Sequence, residues 1–289
     1  MSTIGPMLRM TERRLANAGI GDARIEADLV WMTALDIDRA ELYAHLQDTP
    51  SPKQAYDAES LLQRRLNHEP AAYIMGKREF YGLELTVAPG VLIPRPDTET
   101  LVEEALGIAA RLGRDALTIA DVGCGSGAIA IALATSLPGA EVYAIDISPR
   151  ALELAAINAE RHEVSQRLHF LQGDLLAPLT GPVDLITANL PYVMSEEIPT
   201  LDPEVRLHEP LEALDGGDDG LDIIRQLLAD ASAHLTDGGA LLLEMDPRQI
   251  ASATRSAEAS FPKASIRVIQ DLAHRNRVLV LETSKGETS

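Results

Sequence analysis

Short apolar runs alternate with amphipathic stretches through the middle and end of the chain. The run Ile119 to Val122 predicts a buried strand, and the stretch Ala128 to Ala134, apolar on nearly all sides, predicts a buried helix. Glycines at every second position separate the two. This pattern predicts a strand, a tight turn and a helix, with a turn at which the backbone could approach a ligand closely.

Further apolar runs predict the other strands of a sheet. They are Ala140 to Ile145, Leu168 to Gln172, Val183 to Ala188, Ala240 to Met245, Ile266 to Ile269 and Val278 to Glu282. Amphipathic stretches predict helices at Thr100 to Leu112, Ala151 to Arg161, Leu221 to Leu235 and Arg248 to Ala259. Strands that alternate with helices are typical of an α/β fold with a mostly parallel sheet.

The N-terminal residues 3–69 show helical periodicity and predict four helices. The second follows Asp22 as a possible N-cap, and the fourth has Ser51 as N-cap and Pro52 in its first turn. No group of residues in this region suggests chemistry. The pattern alone leaves two interpretations open, a packed cap domain or a surface that recognises a protein substrate.

The residues between the helical and α/β regions carry turn signals. Arg78 to Val87 and Val91 to Ile93 predict a β-hairpin with Pro89-Gly90 as its turn. The charged residues of the segment Pro94 to Glu99, P-R-P-D-T-E, could simply cap the following helix. Farther along, residues 193–220 show little periodicity and contain several prolines, which is typical of a functional loop.

The composition of the chain excludes some classes of protein. The chain has 289 residues, of which 46% are hydrophobic, enough for one large or two ordinary domains with a substantial core. Its 25 basic and 44 acidic residues give a formal charge of −19, which disfavours non-specific binding to nucleic-acid phosphates. The N-terminus lacks a signal-like pattern, and no stretch approaches the roughly 18 apolar residues of a membrane span. We therefore expect a cytoplasmic protein with no membrane partner.

The glycine turn, Gly123 to Gly127, reads G-C-G-S-G. Its spacing differs from the G-x-G-x-x-G of dinucleotide sites, so a cofactor bound through phosphate is not the first choice. An ordinary turn without a ligand is the alternative. Cys124, the one cysteine in the sequence, excludes an internal disulfide. No base lies at a motif distance from it, so a packing role is favoured over a nucleophilic one.

Polar residues follow the other predicted strands at the point where each ends. They are Asp146, Asp174 and Asn189, the last in the sequence N-L-P-Y. Since ligands of open α/β sheets bind at the carboxyl ends of the strands, we expect these residues to share one crevice. Asp146 could accept hydrogen bonds from both hydroxyls of a ribose or could cap the next helix. Ser148, which is followed by Pro149, is the better cap.

With these residues, the chain resembles the S-adenosylmethionine-dependent methyltransferases of the Rossmann-like class. More narrowly, it is similar to the peptide chain release factor glutamine methyltransferases, the protein-(glutamine-N5) methyltransferase family. The narrower resemblance rests on A-A-Y-I-M-G-K-R-E-F-Y-G-L-E-L (Ala71 to Leu85), P-G-V-L-I-P-R-P-D-T-E (Pro89 to Glu99), E-V-R-L-H-E-P (Glu204 to Pro210) and G-G-D-D-G-L (Gly216 to Leu221). These motifs occur along the chain in the same order as in members of the family.

The resemblance implies a fold and a domain order. It implies a class I methyltransferase sheet of seven strands with the last antiparallel, preceded by a small all-α domain and a linking β-hairpin. The expected domains are residues 1–75, which dock the protein substrate, residues 76–94, the hairpin linker, and residues 95–289, the methyltransferase domain.

The resemblance also implies roles within the crevice. Residues of the glycine turn line the methionine part of S-adenosylmethionine, Asp146 takes the ribose, and Asp174 with Leu175 borders the adenine. Asn189 borders the cofactor as well. The turn residues are Gly123, Cys124, Gly125, Ser126 and Gly127.

Methylation of a glutamine side chain requires a positioned nitrogen, because the amide lone pair is delocalised into the carbonyl. Asn189 can accept one N–H through its side-chain oxygen, and the carbonyl of Leu190 can accept the other. Pro191 stiffens the turn, and Tyr192 is expected to lie against the planar amide. The transfer leaves S-adenosylhomocysteine and requires no metal ion or covalent residue.

Some positions depart from the family pattern. The usual motif N-P-P-Y is N-L-P-Y here because of Leu190, a form better known from ribosomal RNA adenine dimethyltransferases. Asp246 replaces a glycine and can N-cap the helix that Pro247 begins. In the C-terminal motif D-L-x-G-x-D-R, His274 is interpreted as a surface turn residue.

Three functions follow as hypotheses. The first is methylation of a release factor glutamine, with no direct nucleic-acid partner. The second is adenine-N6 methylation of ribosomal RNA, supported by N-L-P-Y alone. The third is a non-catalytic binding module, which would require a broken cofactor site. The acidic charge and the flanking motifs favour the first, with Arg95 and Glu99 as secondary site candidates.

Overall fold

The computed structural model describes residues 2–114 and 116–284, and the chain divides into two compact units. The helical unit comprises Met1–Lys77 together with Asp202–His208. The α/β unit comprises Arg78–Leu201 and Glu209–Ser289. A segment of the long loop after Tyr192 therefore belongs to the helical unit.

The four helices predicted over residues 3–69 are confirmed, and shorter helices accompany them. The helices of this unit are α1 (Ile4–Asn17), α2 (Ala23–Leu35), α3 (Arg39–Ala44), α4 (Pro52–Leu66), α5 (Ala71–Met75) and, from the later segment, α9 (Pro203–His208). Ser51 caps α4 through reciprocal bonds with Gln54, as predicted. Asp22 makes no capping bond, because its backbone is left-handed at φ 48°.

Arg65 fastens the later segment within the helical unit. Its guanidinium is buried and pairs with Glu26 at 2.7 Å and with Glu204 in the first turn of α9. His208 adds a contact of 2.9 Å between its Nε2 and the carbonyl oxygen of Asn67. Because a buried guanidinium needs partners to offset its desolvation, these pairs specify where α9 lies in this unit.

The α/β unit contains one seven-stranded sheet in the order β5-β4-β3-β6-β7-β9-β8. Its strands are β3 (Thr118–Val122), β4 (Glu141–Asp146), β5 (Leu168–Gln172), β6 (Val183–Ala188), β7 (Leu235–Glu244), β8 (Ser265–Gln270) and β9 (Asn276–Glu282). The last strand, β9, is antiparallel to both neighbours, and the other pairs are parallel. The class I methyltransferase sheet predicted from the resemblance is confirmed.

Helices cover both faces of this sheet. They are α6 (Glu99–Leu112), α7 (Ala128–Ser136) and α8 (Pro149–Arg161) on one face, and α10 (Asp222–Ala231) and α11 (Ile250–Ser260) on the other. Strand β6 is buried along its whole length, as expected for a parallel strand covered on both faces. Across residues 2–114 and 116–284, no helix combines the length and the apolar character that crossing a bilayer demands.

The hairpin lies earlier in the chain than predicted. Strands β1 (Lys77–Phe80) and β2 (Leu83–Thr86) pair across a turn at Tyr81-Gly82. Pro89-Gly90 does form a turn, but its predicted place in the hairpin and the predicted strand at Val91 to Ile93 are wrong. Tyr81 and Gly82 have φ of 51° and 73°, the positive angles that a two-residue hairpin turn requires. A tyrosine rarely takes such an angle and therefore carries no turn signal in the sequence.

Element boundaries also shift near residue 235. The helix predicted to end at Leu235 ends at Ala231, and the strand predicted to begin at Ala240 begins at Leu235. Gly238-Gly239 lies inside this strand and weakens its apolar pattern, because glycine has no side chain to pack.

Candidate active site

A cavity of about 460 Å³ opens where β3, β4, β5 and β6 end, within the range of small-molecule sites of roughly 300–1,000 Å³. Of the residues predicted for the site, those that line it are Gly123, Cys124, Gly125, Ser126, Asp146, Asp174, Leu175, Asn189, Leu190 and Pro191. Gly127 and Tyr192 do not line it. Residues from separate loops are thus brought together.

The glycine turn folds its backbone N–H groups toward β4. Those of Gly123 and Cys124 donate to the carbonyl of Ile145 at 2.8 and 3.0 Å. That of Gly125 donates to the carboxylate of Asp146 at 2.8 Å. With these donors engaged, the three residues do not offer the N–H groups that hold a phosphate in dinucleotide sites. The conformation agrees with the phosphate-free cofactor that the glycine spacing favours.

Gly127 has a packing role instead. It precedes α7 at φ 82°. A Cβ at this position would lie 3.0 Å from the Cβ of Ala155 on α8 and 3.0 Å from Cδ1 of Ile131. The third glycine therefore allows α7 and α8 to approach each other closely.

Cys124 lines the cavity with an inactive thiol. Burial, reinforced by the carboxyl groups of Asp121 and Asp146, raises the pKa of this thiol well above its usual value. Since the thiolate is the nucleophilic form, a thiol that stays protonated is a poor nucleophile. The packing interpretation of Cys124 is therefore supported over the nucleophilic one.

Asp121, near the end of β3, anchors the helix that follows the glycine turn, and the sequence-based prediction missed it. Its fully buried carboxyl accepts hydrogen bonds from the Thr187 hydroxyl at 2.9 Å and from the Ala130 N–H at 3.1 Å. Burial raises the pKa of Asp121 to about 7, although both hydrogen bonds lower it. The carboxyl thus ties the first turn of α7 to β6. An acid within an otherwise apolar strand, I-A-D-V, was the available signal.

We expect the free energy of unfolding to fall as the pH rises from about 5 to about 8, and Asp121→Asn to reduce that fall. An acid whose folded pKa exceeds its unfolded value of about 3.9 holds its proton longer when folded, so its contribution to stability is lost as the pH rises toward the folded pKa. At about 1.4 kcal/mol per pKa unit, we expect an effect on the order of 1 kcal/mol or more. Urea denaturation at both pH values measures it.

Asparagine at position 121 can keep both bonds, accepting from Ala130 and donating to Thr187. Asp237→Asn removes an exposed acid and serves as the control that should keep the wild-type pH dependence. If Asp121→Asn keeps that dependence too, the Asp121 carboxyl is ionised in the folded protein and the assignment fails.

Asp146 ends β4 with both carboxylate oxygens bonded to backbone. Oδ2 accepts the Gly125 N–H at 2.8 Å, and Oδ1 accepts the Ser148 N–H at 2.9 Å. Each oxygen keeps a second lone pair, so the carboxylate can still accept from a ligand in the cavity that it lines. Ser148 caps α8 through the Ala151 N–H, as predicted, and Asp146 is not needed for that purpose.

The cavity is acidic. Its acidic lining residues are Asp146, Asp174, Glu212 and Asp215. Arg95 is the basic side chain among the lining residues, and it pairs with the buried Glu209 at 2.6 Å. Burial raises the pKa of Asp146, and the neighbouring Glu212 adds to that rise. An excess of carboxyl groups favours a cationic ligand and disfavours a phosphate. The residues present therefore fit S-adenosylmethionine, which carries a sulfonium and an ammonium group.

Asn189 is held by Thr98. Its Nδ2 donates to the Thr98 hydroxyl at 3.1 Å. Within residues 2–114 and 116–284, no donor reaches Oδ1 of Asn189 or the carbonyl oxygen of Leu190. Both oxygens are therefore available as hydrogen-bond acceptors at the cavity. Thr98 also lines the cavity and is a site residue that was not predicted from the sequence.

Two glycines allow neighbouring backbone to lie directly against the backbone of the N-L-P-Y turn. A Cβ at Gly216 would lie 2.7 Å from the carbonyl oxygen of Pro191, and one at Gly220 would lie 2.2 Å from that of Tyr192. Nε2 of Gln249 also donates to the Tyr192 carbonyl at 2.7 Å. The glycines of G-G-D-D-G-L are therefore required for close approach to the turn.

The ring of Tyr192 packs against the sheet core. Burial, with a contribution from Glu244, raises the pKa of Tyr192 to about 12. The structure does not place this side chain on the cavity wall. Its predicted contact with a substrate amide stays a prediction.

The secondary candidates Arg95 and Glu99 have different positions. Arg95 lines the cavity beside Glu209, which is almost fully buried. Glu99 does not line the cavity, and its Oε1 accepts the Tyr81 N–H at 2.9 Å. Glu99 therefore stabilises the hairpin turn, where the backbone has positive φ.

Asp97 connects the same segment to the C-terminal part of the sheet. Its carboxylate pairs with Arg277 of β9 at 2.8 Å and with Arg275 at 2.9 Å. Arg277 is buried and also lies 3.5 Å from Asp271. These pairs hold the segment beside the cavity, and removing one partner of a buried pair is costly.

Two of the departures from the family pattern are local turns. Asp246 accepts the Arg248 N–H at 2.8 Å and caps the turn that Pro247 begins, as predicted. His274 is exposed in a turn at φ 59°, which confirms its interpretation as a surface turn residue. A left-handed angle also explains why a glycine is usual there.

Leu190→Pro should retain methyl-transfer activity within about tenfold of wild type, because proline keeps the carbonyl and loses only an N–H. No acceptor for the Leu190 N–H lies within the described ranges. The leucine side chain does pack close to Gly123, where a Cβ would lie 3.0 Å from Leu190 Cδ2. Single-turnover methylation at saturating cofactor measures the effect. A loss as large as that of Asn189→Ala would assign a role to the leucine side chain.

Two family models match the chain, the PrmC N-terminal domain over residues 7–76 and a methyltransferase domain over residues 114–232. Among solved structures, the chain is similar to the T. thermophilus 16S rRNA N2 G1207 methyltransferase in complex with AdoMet and guanosine, with 21% identity and a TM-score of 0.51. The match covers 72% of this chain and 49% of that one, and it supports the fold alone. The order of the strands in the sheet, the glycine turn and the acidic cavity together define a class I S-adenosylmethionine-dependent methyltransferase.

Curated relatives identify the family within this class. The release factor glutamine methyltransferase of Geobacter sulfurreducens is 43% identical over 84% of this chain and 84% of its own length. That of Rhodopirellula baltica is 38% identical over 97% of this chain and 96% of its own. The chain belongs to the family of release factor glutamine methyltransferases.

Proposed function

We propose that this protein transfers a methyl group from S-adenosylmethionine to the side-chain amide nitrogen of a glutamine in peptide chain release factors, and so tunes translation termination. One observation carries the proposal. Oδ1 of Asn189 and the carbonyl oxygen of Leu190 are both available as acceptors in the cavity that Asp146 and the glycine turn line.

The proposed cofactor site is the acidic part of this cavity. Residues Gly123 to Ser126 of the glycine turn would lie along the methionine part, with Asp146 at the ribose and Asp174 and Leu175 at the adenine. Asn189 borders the same space. When bound, the cofactor supplies a methyl group that its sulfonium has already activated.

The chain's own residues hold the nucleophile. A primary amide has two N–H groups, and the acceptors at Asn189 and Leu190 would bind one each, which fixes the plane of the amide. Pro191 restricts the backbone between them. Preorganised acceptors remove the entropic cost of orienting the nitrogen, so positioning supplies most of the rate in this proposal. Tyr192 is proposed to support the N-L-P-Y turn from the side that faces away from the cavity.

The helical domain, residues 1–75, is proposed to dock the release factor. Residues 76–94 then act as the linker, and residues 95–289 as the methyltransferase domain. Large apolar side chains are exposed on the helical unit, namely Met10, Ile25, Tyr43 and Tyr56. Exposed apolar and aromatic side chains suit a protein partner, and the formal charge of −19 opposes contact with nucleic-acid phosphates. The proposed location is the cytoplasm, where release factors act.

The decisive experiment presents labelled S-adenosylmethionine with either release factor or ribosomal RNA. We expect label in the release factor, lost when one of its glutamines is replaced. Asn189→Ala serves as the inactive control. Label in ribosomal RNA would support the adenine alternative suggested by N-L-P-Y. Cofactor binding with no labelled product would support the non-catalytic alternative.

A further inference from the structure

Thr98 stands between Asn189 and a second buried group, Glu244 at the end of β7. Thr98 is 4% exposed and Glu244 is 1% exposed. The Thr98 oxygen accepts the Asn189 Nδ2 at 3.1 Å, and the Thr98 side chain, as a hydrogen-bonding group beside the Glu244 carboxyl, lowers the pKa of Glu244. Glu244 does not line the cavity, whereas Thr98 does.

The chemistry of the hydroxyl group gives this chain of bonds a direction. A threonine hydroxyl has one proton to donate. In the described part of the chain, the Glu244 carboxyl is the acceptor that lies beside it. With its proton directed at Glu244, the Thr98 oxygen is an acceptor toward Asn189. The amide of Asn189 must then turn its NH₂ to Thr98 and its oxygen away.

An asparagine amide is nearly symmetric in shape, so packing alone does not distinguish its two orientations. In the reversed orientation, Oδ1 would accept the Thr98 proton and the NH₂ would face the cavity. Two donors would then meet, since the substrate amide nitrogen also carries hydrogens. Only one orientation can bind the nucleophile.

We propose that Thr98 and Glu244 are positioning residues that determine which end of the Asn189 amide faces the cavity. The orientation itself follows from the bonds in the free protein. Its effect on the rate rests on the proposed function, in which Asn189 accepts a hydrogen bond from the substrate glutamine.

The burial of Glu244 supports a role beyond packing. It follows three leucines, in the sequence L-L-L-E, and its Oε2 has no hydrogen-bond partner within the described residues. A buried carboxyl with an unpartnered oxygen is costly, and an apolar residue would cost less. Burial also raises the pKa of Glu244 to about 7, with Arg277 opposing the rise. In either protonation state, one carboxyl oxygen can still accept from Thr98.

The first test compares single-turnover rates at saturating cofactor. Thr98→Val keeps the shape and removes the hydroxyl, and we expect a rate about tenfold lower with cofactor affinity unchanged within about twofold. Thr98→Ser keeps the hydroxyl and should restore the rate to within about threefold of wild type. Thr254→Val, which removes a hydroxyl bonded within α11, is the matched control and should leave the rate unchanged.

Glu244 is tested by the same comparison. Glu244→Gln keeps an acceptor oxygen for Thr98 and should stay within about threefold of wild type, whereas Glu244→Leu should behave like Thr98→Val. Equal rates for Glu244→Leu and wild type would overturn the role of Glu244.

A double variant separates positioning from general damage to the fold. If Thr98 acts only through Asn189, then Thr98→Val should add nothing to Asn189→Ala. A further tenfold loss in the double variant would overturn the proposal.

NMR of the free protein gives a readout independent of activity. In wild type, the Asn189 side-chain NH₂ should exchange slowly with solvent, and in Thr98→Val it should exchange at least about tenfold faster. Rapid exchange in wild type would overturn the proposed orientation even if Thr98→Val fails to fold. Failure of wild type to methylate release factor, with the slow NH₂ signal present, would overturn the proposed function and leave the orientation standing.

Discussion

Asn189→Ala should lower the single-turnover rate of release factor methylation by about 100- to 1000-fold at saturating cofactor, which is the usual cost of losing one preorganised polar group from an active site. The asparagine oxygen is one of the two acceptors proposed to bind the substrate amide, and the Asn189 Nδ2 donates to Thr98 at 3.1 Å. Alanine leaves the substrate nitrogen free to rotate. Rapid-quench measurement of labelled release factor gives the rate.

Cofactor affinity distinguishes this effect from disruption of the site. We expect the dissociation constant of S-adenosylmethionine to stay within about threefold in Asn189→Ala, because the acids and the glycine turn are unchanged. Leu190→Pro, which alters the neighbouring residue and keeps both acceptors, is the matched comparison. A rate for Asn189→Ala above about a third of wild type would remove Asn189 from the mechanism.

Asp146→Ala should weaken S-adenosylmethionine binding by about 10- to 100-fold, because charge-assisted hydrogen bonds are typically worth about 1.5 to 3 kcal/mol. The carboxylate lies at the cavity with one lone pair on each oxygen uncommitted to backbone. The same change releases the Gly125 N–H, so part of the loss comes from the glycine turn. Isothermal calorimetry measures the affinity.

Ser148→Ala provides the control for local damage. It removes the cap of α8 while leaving the Asp146 carboxylate in place, and should cost about 1 kcal/mol of stability with cofactor affinity within about threefold. An unchanged dissociation constant in Asp146→Ala would show that this acid is not the ribose ligand.

The sheet could be predicted from the sequence because its signals are local. Each parallel strand is a short apolar run, and β5 and β6 have the predicted boundaries. The hairpin could not be placed, because its turn depends on Tyr81 at positive φ, held by a bond to Glu99 farther along the chain. The turn signal at Pro89-Gly90 was real, but it belongs to a segment that lines the cavity.

The residues of the site also differ in whether a local sequence signal identifies them. Asp146 and Asn189 could be identified because each follows a strand and must meet the others at the sheet edge. Thr98 and Glu244 could not, because their role arises from a contact between a loop before α6 and the end of β7. Likewise, nothing local to Gly220 indicates that the backbone of Tyr192 lies against it.

Strand β9 is the last strand of the sheet in sequence, yet it lies between β7 and β8. It pairs with the end of β7, where Val278 lies opposite Glu244, and its Arg277 binds Asp97 beside the cavity. During synthesis, the glycine turn and N-L-P-Y leave the ribosome long before β9 does. A nascent chain therefore holds the glycine turn and N-L-P-Y without the strand that braces the end of β7, and β8 has no partner in the sheet until β9 arrives. This edge of the sheet is therefore completed by a strand that is synthesised after both of its neighbours.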